Sequence, residues 1–393
     1  MAHLRGSREE HLLTSTRMNA PAKDPRAELS IKAVPQPTRF LDLQREFYRG
    51  DPDFVPPVTS AEAWQIDAKK SPFFRHAEVG LFAAFAGDRC VGRVSTSRDR
   101  LHDEFHGDRI GFFGHFEAMD ESTAHRLLAH AADWCRRRGA SHLRGPVDMS
   151  TNYRCGLLVD GDKGPPVVMM NYNPPHYAQW LEAFGLRKAK DLLALHVTAE
   201  SLDSRRVDRI AEGLRRKSSA TMRPVNLRHF DAECQVLWDL YHRIWDRNWG
   251  FVPMTQEEFF AQAKDLKKVA HPALLHIAEV RGLPVGFIAA LPDVNEGARA
   301  CQGRLFPFGW WRFLRAMKRV KLIRVITLGV VPEYRRIGIE LLLMHKVIRS
   351  GLDVGFRACE ASWILEDNRD MLGPLETLGH RPYRRYRIYE KTL

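Results

Sequence analysis

Arg335 and Arg336, with Gly338 close behind, stand between a β-branched run and an apolar one in the stretch from Arg324 to Ser350, RVITLGVVPEYRRIGIELLLMHKVIRS. Their chemistry is anion binding. Val325, Ile326, Leu328, Val330 and Val331 predict a strand, which Pro332 ends by removing a backbone donor. From Ile339 to Ile348 apolar residues cover almost the whole circumference of a predicted helix, as expected of a buried one. Such a helix start leaves N–H groups unpaired, Gly338 allows close approach to the backbone, and the arginines add positive charge. Strand, cationic turn and helix in succession therefore predict a phosphate or pyrophosphate site.

This stretch resembles the GNAT acyltransferases, whose pyrophosphate loop follows the fourth strand with the pattern Val-x-Pro, then Arg or Gln-x-x-Gly-x-Gly or Ala. Val330, Pro332, Arg335 and Gly338 match it in register, whereas Glu340 stands where the family has Gly or Ala. A second family motif follows in the right order. Ala361 to Leu365 lead into Asn368, and Leu378-Gly379-His380 falls at the spacing of the family's Leu-Gly-Phe. His380 replaces the Phe, and Leu375 stands where a tyrosine often serves as general acid, so the usual proton donor is missing from its usual place.

The resemblance implies an α/β fold of two tandem GNAT-like domains, each a mixed, mostly antiparallel sheet flanked by helices. A polar, patternless tail covers residues 1–30, a degenerate GNAT-like domain 31–200, and the catalytic domain 201–393. The first copy is degenerate because Asp120-Glu-Ser-Thr123, acidic and free of glycine, occupies the place of its phosphate loop. Gly145 to Pro175 within it is too long for a simple connection, and reads either as a functional loop or as an insertion packing between domains. Asn173, Tyr177 and Phe184-Gly185 echo the second motif there.

The resemblance also implies roles. Acyl-CoA, or an acyl carrier protein thioester, is the co-substrate, and no metal is expected. Backbone N–H groups around Val330 would hold the pantetheine and polarise the thioester oxygen, Arg335, Arg336, Gly338 and Ile339 would hold the pyrophosphate, and Asn368 would touch the pantetheine arm. Trp245, Asn248, Trp249 and Phe251 are the candidate acceptor walls. Direct attack requires an amine that has lost its proton. Glu366 is the first candidate base and Glu360 the second, with Tyr383 and Tyr386 as candidate acids. His102 and His106 share a helix face at the spacing of metal ligands, but no HExxH pattern surrounds them.

The elements that must position these groups are legible around them. Val79 to Phe85 and Cys90 to Ser95 predict a hairpin turning at Gly87-Asp88, followed by a strand from Ile110 to Phe116 and a helix from Ala124 to Arg138. In the second half, helices are predicted over Ser204 to Arg215, Cys234 to Trp249 and Gln256 to Lys267, then a hairpin of Leu274 to Val280 and Val285 to Leu291. The six cysteines are scattered singly and read as reduced thiols. No apolar run is long enough to span a bilayer and the start lacks a signal-peptide core, so a cytoplasmic protein is expected.

A net charge of +12 points to an anionic partner, and no nucleic-acid module is present. Arg304 to Lys321, RLFPFGWWRFLRAMKRVK, has the composition of an interfacial helix. On a helix, Trp310, Phe313, Leu314, Met317 and Val320 fall on one side, with Arg312, Arg315, Lys318 and Arg319 opposite. Four readings stay open for it: an anionic membrane surface on the inner face, a guide for a long acyl chain or lipid, a dock for an acidic acyl carrier protein, or a solvated helix on the core. This insertion, the tandem arrangement, and the NWGF and SWILEDN segments resemble the branch of bacterial ceramide synthase-like N-acyltransferases. That resemblance implies transfer of a long acyl group to the amine of a sphingoid base, a step of sphingolipid biosynthesis. The alternatives are acetyl transfer from acetyl-CoA to a small amine or amino acid, and a non-catalytic module that binds a lipid or partner.

Overall fold

The computed structural model describes residues 29–161, 164–246, 248–377 and 379–393. Residues 1–28 of the expected tail lie outside the described residues, as does Leu378 of the second motif, while Leu29 and Ser30 already belong to a strand. In chain order the strands are β1 (Leu29–Ala33), β2 (Ala77–Ala86), β3 (Arg89–Asp99), β4 (Ile110–Ala118), β5 (His142–Gly145), β6 (Leu157–Gly161), β7 (Arg187–Thr198), β8 (Ala220–Pro224), β9 (Leu275–Val280), β10 (Leu283–Pro292), β11 (Leu322–Val330), β12 (Ala358–Leu365) and β13 (Pro382–Thr392). They form one sheet in the order β1-β2-β3-β4-β5-β13-β7-β12-β11-β10-β9-β8, with β6 beside β13.

The sheet contains the same plan twice. Four antiparallel strands lead through a crossover helix to a parallel fifth, first in β1 to β5 around the helix Glu121–Arg136, then in β8 to β12 around the helix Ile339–Asp353. Tight turns fix the hairpins, as at Arg281-Gly282, where both residues have positive φ and give the twist that joins β9 to β10. Each half buries its own apolar cluster, one around Leu127, Leu128 and Phe113, the other around Ile277, Ile288 and Leu343. The expected α/β class, mostly antiparallel with flanking helices, is what the chain adopts.

The final strands of the two halves are exchanged. β13, at the end of the chain, pairs with β5 of the first half, and β7, from the first half, pairs with β12 of the second. β7 and β13 then pair antiparallel with each other, so the sheet runs unbroken across residue 200. Asp191 of β7 is fully buried at this junction. Its carboxylate accepts from Arg387 Nε at 2.8 Å and Arg385 Nη1 at 3.0 Å, with Lys188 Nζ at 3.1 Å. Burial pushes its pKa up, but the bonds from Arg387, Lys188 and Arg385 hold it down at about 2.

The described residues of the Gly145 to Pro175 stretch pack between the halves rather than forming a free loop. Val168 N–H donates to Asp293 at 2.8 Å, Val168 O accepts from Arg324 Nη1 at 2.8 Å, and Pro166 O accepts from Asn295 at 2.7 Å. Asn173, the echo of the second motif, bonds both backbone groups of Leu158 and so secures β6. All six cysteines are free thiols. No helix among the described residues is long and apolar enough to cross a membrane.

A second contact between the halves carries charge. His76, buried, holds Asp99 through Nδ1 at 2.8 Å and Glu258, on the helix Gln256–Lys267, through Nε2 at 3.2 Å. Burial lowers its pKa, but hydrogen bonds to Asp99 and Glu258 raise it to about 9, against 6.5 for the ordinary group. A folded value above the unfolded one means that the contribution is complete below pH 6.5 and lost as pH rises through about 9. Urea denaturation should therefore show stability falling across that window in the wild type and a flatter profile in His76→Gln. An unchanged slope in the variant would remove His76 as its source.

Candidate functional site

β11 and β12 are parallel neighbours only from Leu322 opposite Ala358 to Val325 opposite Ala361. Beyond that pair they splay. β11 carries an irregularity there, since Thr327 and Val325 face adjacent residues of β10 and leave Ile326 unmatched. The splay exposes two unpaired strand edges inside a groove of about 1120 Å³, which suits an extended amide-bearing chain laid against the sheet. Val330, Arg335, Arg336, Gly338, Asn368 and the aromatic pair Trp245 and Trp249 all line this groove.

The cationic turn closes its outer end. Gly338 has φ +89° and caps the helix Ile339–Asp353 without any side-chain hydrogen bond. Leu342 N–H reaches Gly338 O at 3.1 Å, so the N–H groups of Ile339, Glu340 and Leu341 precede the first helical bond. These donors, the helix dipole and the Arg336 and Lys217 side chains on the groove wall are the chemistry that an anion site requires. Ile339 contributes only its backbone, because its side chain is fully buried in the core. Arg335 is also less free than expected: its Nε donates to Val330 O at 3.0 Å and its Nη2 to Ile244 O at 2.5 Å. It ties the turn to β11 and to the helix Phe230–Trp245. Glu340 lines the groove, and burial raises its pKa, against a hydrogen bond from its own backbone N–H and the nearby Arg335 charge, which lower it.

The first half repeats this geometry and closes it. After Phe112 opposite Arg144, the place of the splay is filled by the chain itself: Val147 N–H donates to Phe113 O at 2.7 Å and Asp148 accepts from His115 N–H at 2.6 Å. A Cβ at Gly114 would lie 2.3 Å from Val147 O, so no space remains for a ligand. At the helix Glu121–Arg136, the Asp120 carboxylate accepts from Thr123 N–H at 2.9 Å and takes the position an anion would have.

Of the acceptor candidates, Trp245, Asn248 and Trp249 line the groove and Phe251 does not. The helix ends at Trp245, so Asn248 and Trp249 lie in the following loop. Trp249 lies under Arg144 and Lys190, 5.2 and 5.7 Å from its ring centre. Phe251 is buried, edge-on to Phe105, and its carbonyl accepts from His106 at 2.7 Å. Asn368 Oδ1 accepts from Met371 N–H at 3.2 Å, which starts the helix Arg369–Thr377 while the residue faces the groove. Leu375 is core.

The candidate bases separate sharply. Glu366 is off the groove: Oε2 meets Lys188 at 2.6 Å and Oε1 accepts from Asp191 N–H at 3.1 Å, so it ties β12 to β7. Glu360 is fully buried on the last rungs before the splay, opposite Arg324. Its Oε1 accepts from Ser362 Oγ at 2.7 Å and its Oε2 from the Tyr383 hydroxyl. Ser362 Oγ also accepts from Arg324 Nε at 2.9 Å. Burial and the Glu360 carboxylate both raise the Tyr383 pKa, so that phenol keeps its proton. Tyr386 is fully buried in the core under the 165–170 segment and does not line the groove.

Sequence reasoning missed Lys190, Lys217 and Asp367. Lys217 ends the run Arg215-Arg216-Lys217, a cluster that could have signalled it, in the helix Ser204–Ser218. Lys190 pairs with Asp367 at 2.8 Å on the groove wall, and it arrives there on the exchanged strand β7. His102 and His106 are neighbours on the helix Arg100–His106, and His102, Asp103 and Asp108 cluster. Arg98 holds Asp103 through both oxygens, at 3.0 and 2.6 Å.

No family model matches the chain. It is 34% identical over 380 residues to the protein of Caulobacter vibrioides named bacterial ceramide synthase, covering 93% of this chain and 98% of that one. It is 35% identical over 362 residues to protein YghO of Escherichia coli, covering 90% and 92%. Among solved structures it is similar to a tandem GNAT protein from the clavulanic acid biosynthesis pathway, with a TM-score of 0.57, 14% identity, and 93% and 98% coverage.

Gly338 offers a direct probe of the anion site. A side chain there meets both a left-handed backbone and Leu214, 2.5 Å from an ideal Cβ. Gly338→Val should raise the Michaelis constant for a CoA thioester about tenfold or more by displacing the helix start, as one or two charge-assisted bonds are lost. Unchanged donor kinetics would remove the turn from donor binding.

Proposed function

This chain belongs to the GNAT N-acyltransferases, and on that premise we propose that it transfers a long acyl group from a thioester to the amine of a sphingoid base. The donor is acyl-CoA or an acyl carrier protein thioester. The observation that carries the reading is the groove itself. An uncapped helix start and two free strand edges hold a phosphopantetheine arm at one end, and Trp245, Leu328, Leu341, Met344, Leu365 and Met371 provide apolar wall for a chain. The full-length likeness to a relative named bacterial ceramide synthase supports the acceptor class.

The reaction follows from the groups at the closed end of the splay. Backbone N–H groups of β11 polarise the thioester oxygen without reorganising. The amine nitrogen forms the new C–N bond as the C–S bond breaks. Its proton passes through water to the Ser362 hydroxyl and the Glu360 carboxylate, which are buried beside the groove and not on its wall, and the thiolate leaves with a proton from solvent. Arg324, fixed on Ser362 and on Val168 O, keeps the relay in register.

Purified protein given acetyl-CoA or palmitoyl-CoA, with a sphingoid base and small polyamines, should form the N-palmitoyl sphingoid product by mass spectrometry. Acetylation of a small amine in its place would move the substrate class. Glu360→Gln should lower kcat by about 10²-fold with little change in the donor Michaelis constant, while Glu366→Gln should stay within about twofold. The reverse order would return the base to Glu366.

A further inference from the structure

The segment from Arg304 to Lys321 is fastened to the body and presents its aromatic residues outward. Arg45 Nη1 donates to Gln302 O at 2.8 Å and its Nη2 to Pro57 O at 2.9 Å, and Lys321 O accepts from Arg357 N–H at 2.7 Å. Between these anchors runs the helix Gly309–Met317. Its expected apolar side is divided. Phe313 packs on Gly297, where a Cβ would lie 2.7 Å from the ring, and Val320 is buried. Trp310 and Leu314, expected on the same side, are 48% and 54% exposed. Beside them Phe306, Phe308 and Trp311 are 81%, 74% and 53% exposed.

No core explains that display. Half of the large hydrophobic residues that the described chain leaves exposed fall in these nine positions, so the patch is contiguous in sequence rather than scattered. Arg304, Arg312, Arg315, Lys318, Arg319 and Lys321 surround it, all exposed, and the segment contains no Asp or Glu. Arg315 lies 5.4 Å from the Trp311 ring centre, which keeps the cation beside the aromatic plane. Aromatic and leucine side chains flanked by a ring of cations match the two layers of an anionic bilayer surface, headgroup phosphates outside and acyl chains beneath.

We propose that Phe306, Phe308, Trp310, Trp311 and Leu314 insert into the interface of an anionic lipid bilayer, with the surrounding arginines and lysines on the headgroups. The position of the patch argues against a donor dock. This helix leads into the start of β11, whereas the thioester groove opens at the other end of that strand, eight residues and about 26 Å away. A carrier protein must deliver its thioester at the groove mouth. Docking at the opposite end leaves that mouth facing water and brings a lipid substrate's own phase against the protein. Membrane binding by this surface is independent of which amine is acylated.

The test is flotation of the full chain with phosphatidylcholine vesicles, with and without phosphatidylglycerol, and with brominated lipid to quench tryptophan. Wild type should float and be quenched only with the anionic lipid, and release at high salt. Trp310→Ser with Trp311→Ser and Leu314→Ser, and separately Arg312→Glu with Arg315→Glu, should each lower partitioning at least about tenfold. Both should retain the melting temperature and the donor Michaelis constant, as the altered side chains are exposed and outside the groove. Equal binding to neutral vesicles, undiminished binding in either variant, or capture of an acidic carrier protein without vesicle binding would overturn the proposal.

Discussion

The buried Asp191 carboxylate holds the two halves in one sheet. It lies on β7 and draws Arg385 and Arg387 from β13 and Lys188 from its own strand. A carboxylate so buried is tolerable only with such partners, and Arg385 and Arg387 reach it because β13 pairs with β7. Exchange in turn brings Lys190 of the first half into the groove of the second. Neither half completes its own sheet, and neither builds the whole site.

Within that frame the two copies differ by a few local substitutions with large consequences. Asp120 satisfies the helix start in the first copy, and the Val147-Asp148 segment pairs with the edge that the splay would otherwise expose. In the second copy Gly338 supplies no capping oxygen, and β11 and β12 part after Val325 and Ala361. Unpaired backbone groups are costly when buried and useful when a ligand can meet them. The chain retains them on one side and satisfies them on the other.

The arrangement also gives β11 two working ends. At its end, Val330 and the cationic turn face the groove; at its start, Leu322 follows the basic aromatic helix. Arg324, near the start, ties this strand to Ser362 and to Val168 of the intervening segment, so β11 is held from both halves. Charge at these places is local. The overall excess of cations reveals little about which of them meet a ligand.

Much of this was legible in the residues alone. The strand, turn and helix around Gly338 are a local feature, because φ, capping and apolar periodicity are decided by near neighbours, whereas Trp245, Asn248 and Asn368 were named from the family resemblance and line the groove. The acidic turn at Asp120 likewise identified the closed copy. The sequence could not separate Glu360 from Glu366, since only the pairing of β12 with β7 turns Glu366 toward Lys188 and buries Glu360 beside Ser362. It could not find Lys190, whose partner Asp367 is 177 positions away. Nor could periodicity separate Phe313 from Trp310 and Leu314, which share a helix face but not a neighbour. Local backbone chemistry was written in the sequence; which charges meet, and which apolar faces stay bare, was decided by strands that are distant in the chain and adjacent in the sheet.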